Sequence, residues 1–296
     1  MKETLFASPV PVASETPDAV LARIEQAGER LSTPCGNGAM VWRRWGSGPP
    51  LVLLHGGYGS WRHWIHNIPA LASHHTVLVA DLPGLGDSDE MPEPVTPDSI
   101  AAVIAEGIQG LTGPGTPIDL VGFSFGAMIS GHVAALLGPS VRSLTLVAGG
   151  ALGTARAQTK LAKWNDDMSE SEMREVHQTN LALLMIADGA KIDELALLIQ
   201  QENTRLARLK SRQLSGNDSL AQALRRSVPN RLNAIWGEVD QSAGGTIPER
   251  VAILRSIRPD VQIRLIPGAG HWVAYEDPEA FNRTLAELLE AAALPG

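Results

Sequence analysis

The segment Ile118-Asp119-Leu120-Val121-Gly122-Phe123-Ser124-Phe125-Gly126 decides how the rest of the sequence is interpreted. Its first four residues are mostly apolar and predict a buried strand, and residues 127–137 predict a helix directly after it. The pattern G-x-S-x-G between them is typical of a tight turn from a strand into a helix. Such a turn strains the serine and projects its hydroxyl from the carboxyl edge of a sheet. We therefore predict that Ser124 is a nucleophile; the alternative is a structural turn whose serine caps the helix.

Short apolar runs recur on both sides of this segment, separated by stretches with helical spacing. The predicted strands are 40–45, 51–54, 76–80, 118–121, 143–147, 232–236 and 262–266, and the predicted helices of this part are 65–71, 99–110, 127–137 and 278–293. This alternation is typical of a parallel sheet with crossover helices.

Residues 152–227 have a different pattern, with charged helical segments at 170–187, 192–212 and 219–226 and no strand-like run. We therefore predict three parts: an N-terminal arm at 1–35, an α/β core at 36–151 and 228–296, and a helical insertion at 152–227. The sequence contains no Gly/Ser linker, so the insertion is expected to pack on the core.

A serine hydroxyl needs a general base, and His271 is the strongest candidate among eight histidines. It follows strand 262–266 and the turn 267–270, and it precedes the final helix. Asp240, in the loop after strand 232–236, is the candidate that orients this histidine, with Glu238 as its competitor. The chain order Ser, Asp, His is the order expected of a triad at a sheet edge.

Two backbone amides are candidates for binding an oxyanion. The amide of Phe125 lies at the start of the helix that follows Ser124. The second candidate is Gly57, in the glycine-rich turn after strand 51–54, with Tyr58 as the alternate donor.

These motifs together resemble the α/β-hydrolase family. The matching stretches run in family order: His55-Gly56-Gly57, Asp81-Leu82-Pro83-Gly84-Leu85-Gly86-Asp87-Ser88, Gly122-Phe123-Ser124-Phe125-Gly126, Trp236-Gly237-Glu238-Val239-Asp240 and Gly270-His271-Trp272. They cover about residues 40–150 and 228–290. The resemblance implies a mostly parallel eight-stranded sheet with helices on both faces and a helical cap inserted after the sixth strand.

Within the family, Gly270-His271-Trp272 and the following Glu276 and Phe281-Asn282 resemble carbon–carbon bond hydrolases of aromatic ring-cleavage pathways. In those enzymes an arginine of the cap contacts an acidic substrate, and Arg205 or Arg212 is the corresponding candidate here. Those hydrolases usually have Asn before the nucleophile, whereas this chain has Phe123. An esterase acting on small carboxylic esters therefore stays open as an equal interpretation.

We predict a serine hydrolase that cleaves a carboxylic ester or related acyl bond through an acyl-serine intermediate. Tyr58, Phe123 and Trp272 lie beside catalytic positions and indicate a hydrophobic or aromatic small-molecule substrate. The alternatives are a carbon–carbon bond hydrolase, a cofactor-free peroxidase and a non-catalytic protein that binds a ligand in the same pocket. Ser124 argues against the family members that use an aspartate nucleophile.

The composition excludes several other classes. A net charge of −8 and a pI of about 5.5 argue against binding to nucleic acid or an anionic membrane. No apolar run is long enough to span a bilayer, no secretory signal is recognisable, and one cysteine excludes an intramolecular disulfide, so we predict a cytoplasmic protein. Arg62 occupies the third glycine position of a dinucleotide-binding turn, and the sequence has no phosphate-binding loop and no zinc motif. We expect neither cofactor nor metal, and a homodimer remains open.

Overall fold

The computed structural model describes residues 15–293 except 156, 158, 164, 166, 215–217, 227 and 228. Eight strands form one sheet in the order β1-β2-β4-β3-β5-β6-β7-β8. Their bounds are β1 Glu29–Cys35, β2 Gly38–Trp45, β3 Pro50–Leu54, β4 Thr76–Ala80, β5 Ile118–Phe123, β6 Val141–Val147, β7 Arg231–Gly237 and β8 Gln262–Ile266. β2 runs antiparallel to β1 and β4, and the remaining pairs are parallel. The predicted mostly parallel eight-stranded sheet is confirmed.

The edge strand β1 lies inside the stretch predicted to be an N-terminal arm. Residues 29–35 pair along their whole length with β2, so this part of 1–35 belongs to the sheet. The pattern gave little sign of it, because an edge strand buries few side chains: only Thr33 and Cys35 of β1 are buried. Residues 1–14 of the predicted arm and 294–296 of the predicted core lie outside the described residues, as does the boundary residue 228.

The helices flank the sheet in two groups, of which α3, α4, α8 and α9 pack in a row and α2, α10 and α11 pack together. Their bounds are α1 Pro17–Gln26, α2 Ile68–Ala72, α3 Pro97–Thr112, α4 Phe125–Leu137, α5 Glu170–Asn180, α6 Glu194–Leu206, α7 Ser211–Leu214, α8 Ser219–Arg226, α9 Ile247–Ile257, α10 Val273–Glu276 and α11 Pro278–Ala293. Capping boxes at Thr96 and Ser169 fix the starts of α3 and α5, because each side chain accepts a hydrogen bond from the third residue on. None of the described helices is long and apolar enough to cross a membrane.

Every regular element described between β6 and β7 is helical, and these helices fall into two sets. α5 and α6 pack against each other above the sheet edge. By contrast, α8 packs on α4, because its buried side chains Leu220 and Ala223 lie against Gly131 of that helix. The predicted insertion 152–227 therefore includes one helix of the core layer. We use "cap" below for α5, α6, α7 and the loops that join them.

Hydrogen bonds attach the cap to the loop that carries His271. The buried carboxylate of Glu276 accepts hydrogen bonds from the amides of Ala187 and Asp188 in the cap and of Gly270 in the loop. The amide of Trp272 donates to the carbonyl of Met185, 2.7 Å away. Several such bonds act together, so the cap has a defined position over the sheet edge.

Candidate active site

Ser124 occupies the turn between β5 and α4 in a conformation that few residues other than glycine adopt. Its φ is 53° and its ψ is −110°. The neighbouring glycines are required by close packing: a Cβ on Gly122 would lie 2.3 Å from the carbonyl oxygen of Gly126, and one on Gly126 would lie 2.4 Å from that of His55. The strained turn predicted from G-x-S-x-G is therefore present, and it directs the hydroxyl to the carboxyl edge of the sheet.

The structure brings Ser124, His271 and Asp240 together although 147 and 31 residues separate the two contacting pairs. Nε2 of His271 lies 2.9 Å from Oγ of Ser124. Nδ1 lies 3.0 Å from each carboxylate oxygen of Asp240. This geometry favours the tautomer in which Nδ1–H donates to Asp240 and Nε2 accepts from the serine hydroxyl.

Asp240 is buried, with a fully covered side chain, and is held from two sides. Its Oδ1 accepts a hydrogen bond from the amide of Ser242 at 2.8 Å, and the hydroxyl of Ser242 lies 2.8 Å from Nδ1 of His271. Burial alone would raise the pKa of Asp240, but the charge and hydrogen bond of His271, the Ser242 bond and the nearby Arg250 together lower the pKa below its ordinary value. The carboxylate is therefore ionised at neutral pH.

The two residues predicted to form the oxyanion hole lie beside the serine. Phe125 is the first residue of α4, so its amide has no acceptor within the helix. A Cβ on Gly57 would lie 3.6 Å from Cβ of Phe125, so the two residues are close neighbours. Both line the same cavity as Ser124. The same Cβ on Gly57 would lie 2.5 Å from Oγ of Ser211, which leaves no room for a side chain between the turn and the cap.

A cavity of about 300 Å³ lies between the sheet edge and the cap, and Ser124 and His271 open into it. Its core wall includes Phe123, Phe125 and Met128. The cap contributes apolar residues such as Leu184 and Met185 and several polar residues. A cavity of this size with one reactive corner is typical of a small-molecule site.

Of the predicted substrate-binding residues, Phe123 and Tyr58 line this cavity. Trp272 does not: its indole is buried, donates to the carbonyl of His63 at 2.9 Å and packs against the His63 ring. The prediction for Trp272 is therefore wrong. Trp272 is adjacent to His271 in sequence, but its side chain packs in the layer behind the loop and does not reach the cavity.

The prediction for Arg205 is also wrong. Its side chain is 63% exposed and pairs with Glu202 on the same helix. The predicted helix 192–212 is interrupted between α6 and α7, where the amides of Arg208 and Leu209 donate to Gly84 of the core. The interruption separates Arg205 from Arg212, and Arg212 is the one that lines the cavity.

Glu238, the competitor of Asp240, is exposed and accepts a hydrogen bond from the amide of Gly268. Residues that the sequence did not reveal include Ser242, Arg250 and His177, which all line the cavity. Ser242 had a local signal, because an aspartate two residues before a serine favours a side-chain-stabilised turn. His177 had none, since the polar helix α5 has no apolar stripe that shows which face is covered. No group of three potential metal ligands occurs within the described part of the chain.

Curated relatives cover most of the chain. A dihydrolipoyllysine-residue acetyltransferase component of an acetoin cleaving system from Pseudomonas putida is 28% identical over 261 residues, 82% of this chain, which spans only 64% of that relative's length. A 2-hydroxy-6-oxo-6-(2'-aminophenyl)hexa-2,4-dienoic acid hydrolase from Metapseudomonas resinovorans is 27% identical, covering 83% of this chain and 86% of its own. A pimeloyl-[acyl-carrier protein] methyl ester esterase from Aeromonas hydrophila is 26% identical, and the match covers 80% of this chain and 94% of that relative's length.

The family model of the alpha/beta hydrolase family matches residues 51–284, which include all three members of the Ser–His–Asp cluster. This match confirms the resemblance inferred from the motifs. The chain belongs to the α/β-hydrolase family.

Proposed function

We propose that this hydrolase cleaves a carboxylic ester or a related acyl bond of a small substrate through an acyl-serine intermediate. The observation that supports the proposal most directly is the relay from Oγ of Ser124 through His271 to the buried Asp240 at one end of a cavity. The kinship with an ester-cleaving relative over 80% of the chain agrees with this chemistry.

In the first half-reaction, Oγ of Ser124 attacks the carbonyl carbon while Nε2 of His271 accepts its proton. Asp240 stabilises the resulting imidazolium through Nδ1–H. The amides of Phe125 and Gly57 donate hydrogen bonds to the oxyanion of the tetrahedral intermediate; such a donor typically contributes about 3 kcal/mol to transition-state stabilisation. Collapse of the intermediate breaks the bond to the leaving group, which takes the proton from His271, and leaves the acyl-serine.

In the second half-reaction, His271 accepts a proton from water, which attacks the acyl-serine carbonyl. The same two amides bind the second oxyanion. Collapse returns the proton from His271 to Ser124 and releases the carboxylic acid. No cofactor or metal takes part in the proposed steps.

Rapid mixing with p-nitrophenyl acyl esters of increasing chain length tests the proposal. We expect a burst of p-nitrophenolate, followed by turnover, and a mass increase of one acyl group on the peptide that contains Ser124. Ser124→Ala should abolish both signals. Turnover that persists in this variant, or an acyl group on another peptide, would contradict the mechanism.

Carbon–carbon bond hydrolysis is the second candidate, because a relative named for a hexadienoic acid covers 83% of this chain and Arg212 lines the cavity. A vinylogous diketone from aromatic ring cleavage, followed by the loss of its absorbance, tests this activity in parallel. Phe123 before the nucleophile favours the esterase instead. Tight binding of a ligand without turnover of any substrate would favour the non-catalytic alternative.

The cytoplasmic location predicted from the sequence stays part of the proposal. The lone cysteine, Cys35, is buried, and burial raises the pKa of its thiol. A single cysteine forms no intramolecular disulfide, which agrees with a reducing compartment.

A further inference from the structure

The wall of the cavity that the core forms differs in polarity from the wall that the cap forms. The core wall is mostly aromatic and apolar, whereas α5 and α6 of the cap direct four polar side chains into the cavity: His177, Asn180, Gln200 and Thr204. Removing a polar group from water without giving it a hydrogen bond costs free energy. Polar residues on the covered face of a cap therefore require partners, either in the protein or in a ligand.

Two of these four side chains have their partners within the protein. The amide of Asn180 donates to the carbonyl of Ala162 and accepts from its N–H, at 3.0 and 2.8 Å. The hydroxyl of Thr204 donates to the carbonyl of Gln200 at 2.7 Å. These bonds stabilise the cap wall, and they leave little hydrogen-bonding capacity for a ligand at these two positions.

The other two side chains have unused capacity. His177 is only 4% exposed and lines the cavity, and neither of its ring nitrogens has a hydrogen-bond partner among the described residues. The amide nitrogen of Gln200 makes a long 3.4 Å contact with Thr204, and no bond to its side-chain oxygen is made by the described residues. Burial lowers the pKa of His177 below its ordinary value, so its ring is neutral at neutral pH and offers one donor and one acceptor.

We propose that His177 and Gln200 form a subsite for a neutral hydrogen-bonding group, a hydroxyl or an amide, carried by the substrate away from the scissile carbonyl. The inference rests on the proposed function, and it assigns the substrate class within it. A hydroxyl matches these partners because it donates one hydrogen bond and accepts others. A carboxylate matches them less well, because a neutral imidazole supplies no opposite charge in a covered position.

Matched pairs of p-nitrophenyl esters test the subsite: unbranched acyl esters of increasing length, each compared with its ω-hydroxyacyl and ω-carboxyacyl analogue. At the length that reaches the cap, we expect kcat/KM to be about tenfold higher for the hydroxylated ester than for the plain one. His177→Phe keeps a planar ring but removes both nitrogens, so the preference should vanish or reverse. His177→Gln should restore part of it.

Leu184→Ala is the matched control, because Leu184 lines the same cavity and has no hydrogen-bonding group. It should change the plain and hydroxylated esters by the same factor. The subsite would be overturned by equal kcat/KM values for the plain and hydroxylated esters at every chain length, or by equal losses for both esters in His177→Phe. Hydrolysis of the plain ester would still uphold the proposed function in that case. An advantage for the carboxylated ester that exceeds that of the hydroxylated one and disappears in His177→Phe would overturn the neutral class.

Binding to Ser124→Ala separates the subsite from catalysis. Titration calorimetry with the intact esters should show about tenfold tighter binding of the hydroxylated member, and His177→Phe in the Ser124→Ala background should remove the difference. If no ester is hydrolysed by the wild type, the proposed function fails, and these binding constants still decide whether the subsite exists.

Discussion

The molecule contains two Ser–His–Asp clusters with nearly the same distances. In the first, His271 lies 2.9 Å from Oγ of Ser124 and 3.0 Å from the carboxylate of Asp240. In the second, which joins α3, α4 and α8, His132 lies 2.8 Å from Oγ of Ser219 and 2.7 Å from the carboxylate of Asp98. Interatomic distances alone therefore do not distinguish a catalytic site from a structural joint.

The surroundings of the two clusters do distinguish them. Asp240 is fully covered, whereas the Asp98 side chain is 62% exposed and pairs with Arg226. Ser124 lies in a strained turn beside unpaired helix amides and opens into the cavity, whereas Ser219 merely begins a helix. The proposed chemistry needs a relay combined with a binding cavity, an oxyanion site and a shielded acid, and of the two clusters the first has these features.

Removing each serine hydroxyl is the largest expected contrast. Ser124→Ala should lower kcat for a p-nitrophenyl ester by about 10⁴-fold or more, because it removes the nucleophile. Ser219→Ala should leave kcat within about twofold of the wild type, since this residue touches neither the cavity nor the reacting atoms.

Circular dichroism and thermal unfolding of both variants provide the control that each remains folded. A folded Ser219→Ala variant that loses as much activity as Ser124→Ala would contradict this prediction, because the second cluster would then take part in the chemistry.

The second contrast concerns the acid of the relay. Asp240→Asn should reduce kcat by about 10³- to 10⁴-fold, because an amide favours the wrong imidazole tautomer and does not stabilise the imidazolium. Glu238→Gln, in the same loop, should change kcat less than threefold, because Glu238 contacts the amide of Gly268 instead of His271. Steady-state kinetics with one ester compares kcat of the two variants. Equal losses of kcat would contradict the role proposed for Asp240.

The relay residues were predictable from sequence because a parallel sheet has a simple rule. Ser124, Asp240 and His271 each follow the carboxyl end of a strand, β5, β7 and β8, and in a parallel sheet these ends share one edge. The residue types, their order and the glycines then suffice to name all three.

The cap residues were not predictable in the same way. Their roles depend on where a helix breaks and on which face is covered, and tertiary packing decides both. An unbroken helix over 192–212 would place Arg205 and Arg212 on one face, seven residues apart. The break before Ser211 separates them, and the bonds to Gly84 that hold it come from a distant part of the chain.

The third contrast is one of stability. His132→Ala should lower the free energy of unfolding by about 1–3 kcal/mol, because it leaves Ser219 and Asp98 without a common partner and opens a gap between helices. The kinetic constants of folded His132→Ala should stay within about twofold of those of the wild type. His74→Ala is the matched control, because His74 is exposed and should change stability by less than about 0.5 kcal/mol. Urea unfolding at neutral pH measures the free energy of unfolding of both variants. Equal values for His132→Ala and the wild type would show that the second cluster does not stabilise the packing of α3, α4 and α8.

The smallest contrast is the acid dependence of that joint. Hydrogen bonds from Arg226 and His132 lower the pKa of Asp98 to about 2, from an ordinary value of 3.8. Because the folded value is the lower one, its contribution is fully present above pH 3.8 and is lost as the pH falls towards 2. Solvent screening of this exposed carboxylate keeps the contribution at about 1 kcal/mol or less. The stability difference between the wild type and Asp98→Asn should therefore shrink as the pH falls below 4, in denaturant titrations at each pH. The contribution of Asp240 is also lost in acid, but it is common to both proteins and cancels in the difference. A difference that does not change below pH 4 would show that Asp98 makes no stabilising ion pair with Arg226.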